Sequence, residues 1–379
     1  MIANVSLIGS EAKRHALVER TLRWWDRHRR LLPWRAPPGE TPEPYRVWLS
    51  EVLLQQTTAS AAAPFYLRFV AKWPTVEDLA NADSEDVVAA FAGLGYYARA
   101  RNLHACAKEI SLRGGRFPAE EAGLHALPGV GPYTAAAIAA IAFGRRAAPV
   151  DGNIARILAR LIALEQPAKR SKSAIASVAL ALAPNERAGD FAQALMDIGA
   201  MICRPRRPIC PACPLKEDCL AFARGAPEAY PPQAQGGGKT RPRRRGAVFF
   251  ARRADGAFLA RRRPPNGLLA STLELPGTSW TTAGPGRCCS ASAPVVAAWR
   301  KVPGAVRQAF THFSLSLTVY AGPFDGCAPE ECFWVRPDSV DALGFSNVMR
   351  KAVAHALSAA RFARPQTPGG GVIGLHADA

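Results

Sequence analysis

Apolar positions recur at helical spacing through the first part of the chain, and the period changes afterwards. From about Arg20 to Arg224 the pattern is mostly helical, with few strand-like runs. Its clearest stretch is Ile154, Ile157, Leu158, Leu161 and Ile162, the stripe of an amphipathic helix packed on a core. Residues 226–245 then bring Pro231-Pro232, Gly236-Gly237-Gly238 and five cations from Lys239 to Arg245, the composition of an interdomain linker. Beyond it, residues 247–250 and 257–260 flank Asp255-Gly256, a hairpin signal. Residues 313–320 alternate as a strand, and residues 346–361 have the pattern of a closing helix. The chain is thus divided into a mainly α amino-terminal domain (15–225), a linker (226–245), a smaller α+β domain (246–363) and a Gly-rich disordered tail (364–379).

Composition sharpens this. A chain of 379 residues with 49% hydrophobic positions can bury two cores. Lys and Arg outnumber Asp and Glu by 48 to 30, a net charge of +18, which favours an anionic polymer as partner through counterion release. The first twenty residues lack a sustained apolar run, which argues against a secretory signal, and no stretch is apolar enough to span a bilayer. A cytoplasmic location is the expectation, and the high Ala, Arg and Gly content points to a GC-rich bacterial genome. A monomer is expected.

Three groups of residues carry candidate chemistry. Leu127-Pro128-Gly129-Val130-Gly131 joins two helical segments, with Pro132 at a first helical position and Gly144 at the helix end. Gly129 and Gly131 let backbone approach a phosphate, and the next helix offers unpaired N–H groups. Asp151, Gly152 and Asn153 then open the amphipathic helix, placing the Asp151 carboxylate near a positive helix end. On an earlier helix, Glu51 shares a face with Val47, Trp48 and Leu54, surroundings that raise a carboxyl pKa and keep an acid available. Finally, Cys203, Cys210, Cys213 and Cys219 are separated by six, two and five residues. Zinc sites more often pair short Cys spacings across a longer span, and bacterial ferredoxins use a different run. The remaining Cys106, Cys288, Cys289, Cys327 and Cys332 show no ligand spacing.

The hairpin, Asp151 and the cysteine loop together resemble the helix–hairpin–helix superfamily of DNA glycosylases, and LSEVLLQQT around Glu51 resembles its MutY-type adenine-excising branch. The resemblance runs from about Leu32 to Cys219 and extends more weakly into the second domain. It implies a [4Fe–4S] cluster on the four cysteines, Glu51 as general acid, and Asp151 as stabiliser of positive charge on the sugar. Tyr133 and Asn153 would orient these carboxylates. Trp34, Arg35 and Asp197 would serve the adenine pocket, Gln55 and Tyr96 would enter the stack, and Arg99 and Arg101 would meet phosphate. Lyase members of the superfamily carry a lysine where this chain has Tyr133, and no lysine occurs between Lys108 and Lys169, so base hydrolysis without strand cleavage is expected.

Residues 261–277, ending in Leu273-Glu274-Leu275-Pro276-Gly277, resemble the Nudix-like carboxy-terminal domain of the same branch. No Asp or Glu occurs from Thr278 through Phe324, so a magnesium-dependent hydrolase is not expected. Phe310, Thr311 and His312 stand where the branch has a Phe-Ser-His loop that inspects oxidised guanine. The implied partner is double-stranded DNA with adenine opposite 8-oxoguanine or guanine. Rival readings are a thymine-mismatch glycosylase, an endonuclease III-type lyase, a noncatalytic lesion-binding protein and an electron-transfer protein.

Overall fold

A computed structural model describes residues 8–95, 97–232, 241–264, 266–285, 292–341 and 343–362. The chain divides into two compact units, residues 1–238 and 239–379. No described helix is long and apolar enough to cross a membrane.

The first unit is helical, and its centre is the Pro132–Phe143 helix. That segment, PYTAAAIAAIAF, carries no charge and is buried on nearly every side, as expected of a helix packed all round. It packs against the Pro44–Leu54, Glu121–His125 and Ala188–Met201 helices. Small residues make the approach possible. A Cβ added at Gly189 would stand 2.6 Å from the Ala140 carbonyl oxygen, so only glycine fits where these two backbones meet. A second core joins the Glu11–His28, Gly152–Leu161, Lys172–Leu182 and Ala188–Met201 helices, with Cys203, Cys213 and Cys219 packed on its edge. The predicted stripe is in place: Ile154, Ile157, Leu158, Leu161 and Ile162 are all buried.

The second unit is a mixed sheet covered, among the described residues, by the Asn347–Phe362 helix. The strands are β1 (Arg243–Arg252), β2 (Phe258–Arg262), β3 (Leu273–Glu274), β4 (Arg300–Lys301), β5 (Val306–Ala309), β6 (Ser314–Pro323) and β7 (Cys332–Val335). They run in the order β3-β2-β1-β6-β4, with β5 also on β6 and β7 on β2. β1 and β6 pair in parallel from Arg243↔Ser314 to Arg252↔Pro323, whereas the other pairs are antiparallel. Leu315, Leu317 and Val319 alternate into the core, where Val348, Met349, Ala352, Val353 and Ala356 of the Asn347–Phe362 helix cover them. The hairpin at Asp255-Gly256 forms, with Gly256 at φ +91°.

Two boundaries differ from the sequence expectation. Among the described residues the first α-helix begins at Glu11, capped by Ser10, ahead of residue 15. β1 begins at Arg243, inside the segment expected to be linker. Its first three arginines are exposed and pair with Ser314–Ser316 in β6, so their charge and the ladder are compatible. The expected tail and residues 233–240 of the expected linker lie outside the described residues, as do Tyr96, Cys288 and Cys289.

Candidate active site and cysteine loop

Glu51 lies on the Pro44–Leu54 helix and is 5% exposed. Burial is the main reason its carboxyl is pushed up to about 7. A hydrogen bond from the Tyr133 hydroxyl opposes the shift, the Asp151 charge adds to it, and Arg35 opposes it. Tyr133 is itself held well above the usual phenol range by burial, then by the charges of Glu51 and Asp151. Glu51, Tyr133 and Asp151 therefore form one interacting group, drawn from three helices.

Asp151 caps the Gly152–Leu161 helix. Its Oδ1 accepts the Ile154 N–H at 2.7 Å and its Oδ2 accepts Asn153 Nδ2 at 3.1 Å. Asn153 is fixed in turn by Arg156, whose Nη2 donates to Asn153 Oδ1 at 2.9 Å and to the Gly199 carbonyl at 2.9 Å. A Cβ at Gly199 would fall 2.5 Å from Asn153 Cβ, so the glycine lets the helix close over this side chain. Arg156 Nε reaches on to the Cys203 carbonyl at 2.8 Å, so hydrogen bonds link Asp151 to the cysteine loop.

Beside Glu51 is a cavity of about 60 Å³, lined among others by Leu32, Trp34, Arg35, Glu51, Leu54 and Gln193. That is room for roughly four to six waters, the size class of one planar base. Trp34 stands edge-on to Tyr66 with ring centroids 5.6 Å apart. Asp197 does not line this cavity. It lies behind it, 0% exposed, and accepts Arg35 Nη1 at 2.6 Å, Arg35 Nη2 at 2.9 Å, Arg30 Nε at 2.6 Å and the Arg30 backbone N–H at 3.0 Å. Burial alone would raise its pKa, but the Arg35 and Arg30 contacts outweigh burial and hold it below the usual carboxylate value. Asp197 is thus a clamp on the Arg30–Arg35 loop.

The remaining expected DNA contacts divide. Gly129 adopts φ +73° and would strike Asn102 if it carried a Cβ, while Gly131 leaves open space at the start of the Pro132–Phe143 helix. Gln55 donates to Thr134 Oγ1 at 3.4 Å. Arg99 is directed inward: its guanidinium donates to the carbonyls of Val52 (3.1 Å), Leu53 (3.3 Å) and Gln55 (2.5 Å), closing the end of the Glu51 helix. An exposed phosphate contact was the expectation there, and the helix carbonyls take the donors instead. In the second unit Phe310 and Phe313 stack 4.7 Å apart at the turn from β5 to β6, under the exposed Thr311 and His312.

The four cysteines are partly buried and carry no disulfide. Among the described residues no group of three or more His, Cys, Asp or Glu side chains is placed to hold a single metal ion. The four thiols are nonetheless close enough to influence one another. Burial pushes Cys213 up to about 12, the Leu215 N–H opposes this, and Cys203, Cys219 and Cys210 all add to it. The Phe222 and Ala221 N–H groups likewise face Cys219. Four soft sulfur donors ringed by backbone donors and an apolar core suit an iron–sulfur cluster in donor chemistry.

Sequence patterns did not single out Arg30, Arg156, Arg160 or Thr134. A lone cation or hydroxyl on a helix has no signature until its carbonyl partners are known.

Comparison with known proteins agrees with this layout. Residues 49–179 match the HhH-GPD superfamily of base excision DNA repair proteins, and residues 247–355 match the NUDIX domain family. The chain is 32% identical to an adenine DNA glycosylase of Homo sapiens over 395 residues, covering 87% of this chain and 72% of that protein. It is 42% identical to an adenine DNA glycosylase of Rattus norvegicus over 211 residues, covering 54% of this chain and 41% of that one. A solved thermostable thymine-DNA glycosylase is 32% identical, with a TM-score of 0.50, over 56% of this chain and 98% of its own.

Proposed function

The chain belongs to the adenine DNA glycosylase family, and from that premise we propose that it excises adenine paired with 8-oxoguanine or guanine in duplex DNA. The observation that carries this reading is Glu51, a buried carboxyl pushed up to about 7 beside a base-sized cavity. Adenine leaves readily only once its N7 is protonated, and Glu51 is the acid that donates that proton. Asp151, oriented by Asn153 and the Ile154 N–H, faces the positive charge that develops on the sugar as the bond to the base breaks. Water completes the hydrolysis. Because the bond is hidden inside a duplex, the nucleotide must first be extruded, with Gln55 and Tyr96 in the gap and Trp34 and Arg35 against the base.

Tyr133 bonds to Glu51 and occupies the place of the lyase lysine, which supports base release without strand cleavage. Cys203, Cys210, Cys213 and Cys219 would hold a [4Fe–4S] cluster, whose binding would brace the loop that Arg156 and Asn153 tie to Asp151. In the second unit Phe310, Thr311 and His312 would inspect the base opposite the adenine. The likeness to a thymine-DNA glycosylase supports a second reading, thymine excision by the same helical unit. Thymine has no purine N7, so Glu51 favours adenine.

Single-turnover base release from adenine:8-oxoguanine, adenine:guanine and thymine:guanine duplexes separates these readings. Release from the first two, strand breaks only after alkali, and loss in Glu51→Gln are expected. Release of thymine alone, or of no base by a folded protein, would overturn the proposal.

A further inference from the structure

Arg160, one turn beyond Arg156 on the same helix, is 2% exposed. Its guanidinium donates from Nε to the Tyr230 carbonyl at 3.1 Å and from Nη2 to the Pro205 carbonyl at 2.9 Å. Nη1 donates to the Arg204 carbonyl at 2.7 Å and to Cys203 Sγ at 3.3 Å. Its own carbonyl accepts the Cys219 thiol at 3.5 Å. Among the described residues no carboxylate forms an ion pair with it, unlike Arg30, Arg35 and Arg20, which face Asp197 or Asp218. Carbonyl dipoles satisfy the donors but leave a full positive charge out of water, an arrangement that needs a counter-charge nearby. The groups beside it that can supply one are the sulfurs of the cysteine loop.

We propose that Arg160 is the built-in counter-charge of a metal–thiolate centre on Cys203, Cys210, Cys213 and Cys219. This rests on the cluster reading given above. The guanidinium fork fixes the loop at Arg204 and Pro205, and its charge offsets that of four thiolates. Two consequences follow. The positive charge favours the more negative, reduced form of a bound cluster and so raises its reduction potential. It also opposes loss of iron from the loop.

The test compares the native full chain with Arg160→Gln, which removes the charge, and Arg160→Lys, which keeps the charge without the fork. Iron and acid-labile sulfide, the rate of iron loss to a chelator, and the potential by film voltammetry are measured, with circular dichroism to verify folding. Arg160→Gln should lose iron at least tenfold faster and show a more negative potential, while Arg160→Lys keeps a potential near the native one. Equal potentials and equal iron-loss rates in native and Arg160→Gln proteins would overturn the proposal while leaving the cluster in place. Folded native protein without iron or sulfide would overturn the cluster reading itself. Should Arg160→Gln not fold, Arg160→Lys decides: a near-native potential upholds the proposal, and a large negative shift despite the retained charge overturns it.

Discussion

Glu51 and Asp197 are both buried in the same helical unit, both lie within reach of Arg35, and they hold opposite states of charge. Burial pushes each carboxyl upward. At Asp197 two guanidiniums outweigh it, and the group stays ionised as a fixed anchor. At Glu51 the bonded partner is a hydroxyl and a second carboxylate stands nearby, so the group keeps its proton up to about pH 7. The difference is one of partners, not depth. A carboxyl becomes an acid at neutral pH where the fold withholds a full counter-charge, and a brace where the fold supplies one.

The largest predicted effect comes from removing the proposed acid. Glu51→Gln should lower single-turnover base release by about 10²–10⁴-fold, and it should not weaken the fold. Burial pushes the folded carboxyl up to about 7, above the ordinary carboxylate range, so the folded state binds the proton more tightly. Stability from this group is fully present below the unfolded value and is lost as pH rises through about 7, by roughly 3 kcal/mol for a shift of this size. Glutamine avoids that loss, so the variant should melt higher than native protein at pH 8 and about the same at pH 4. Identical melting at both values would contradict the raised pKa.

Next is the clamp. Asp197→Asn leaves Arg35, whose side chain is 9% exposed, without its counter-charge. A loss of about 3–5 kcal/mol is expected for breaking such a buried pair, read by thermal or denaturant unfolding. The freed charge also acts on Glu51, moving its titration to lower pH. Unchanged stability would mean that the loop is held by other contacts.

Tyr133→Phe sharpens the comparison on the other side. The lost hydrogen bond favours the ionised Glu51, so the alkaline limb of the pH–rate profile should move upward, by up to about one unit. A downward shift would show that the hydroxyl does not act as donor. The smallest effect is expected in the second unit, where Thr311 and His312 are exposed. His312→Ala should leave melting within about 0.5 kcal/mol of native and reduce only the preference for 8-oxoguanine over guanine opposite adenine, measured by paired single-turnover assays.

Local order was legible in the sequence. The stripe from Ile154 to Ile162, the turn at Asp255-Gly256 and the alternation before Tyr320 each depend on neighbours a few residues away, and each appears in the structure. So does the apolar face around Glu51, since Val47 and Trp48 are buried with it. What escaped was set by distant pairing. β1 owes its first three residues to β6, some seventy positions later (Arg243↔Ser314). Asp197 looked like a pocket residue because nothing local shows that Arg30 and Arg35 return to it across 167 and 162 positions. Arg99 was expected at phosphate, and Arg156 and Arg160 were not singled out, because a carbonyl that awaits a donor leaves no mark in the residue type.

The most direct test is the pH dependence of single-turnover adenine release by the native protein between pH 5.5 and 9. The rate should be level at low pH and fall about tenfold per unit above about pH 7, as Glu51 loses its proton. A rate that rises through pH 7 would show that the ionised carboxylate is the working form, and would contradict its role as the acid.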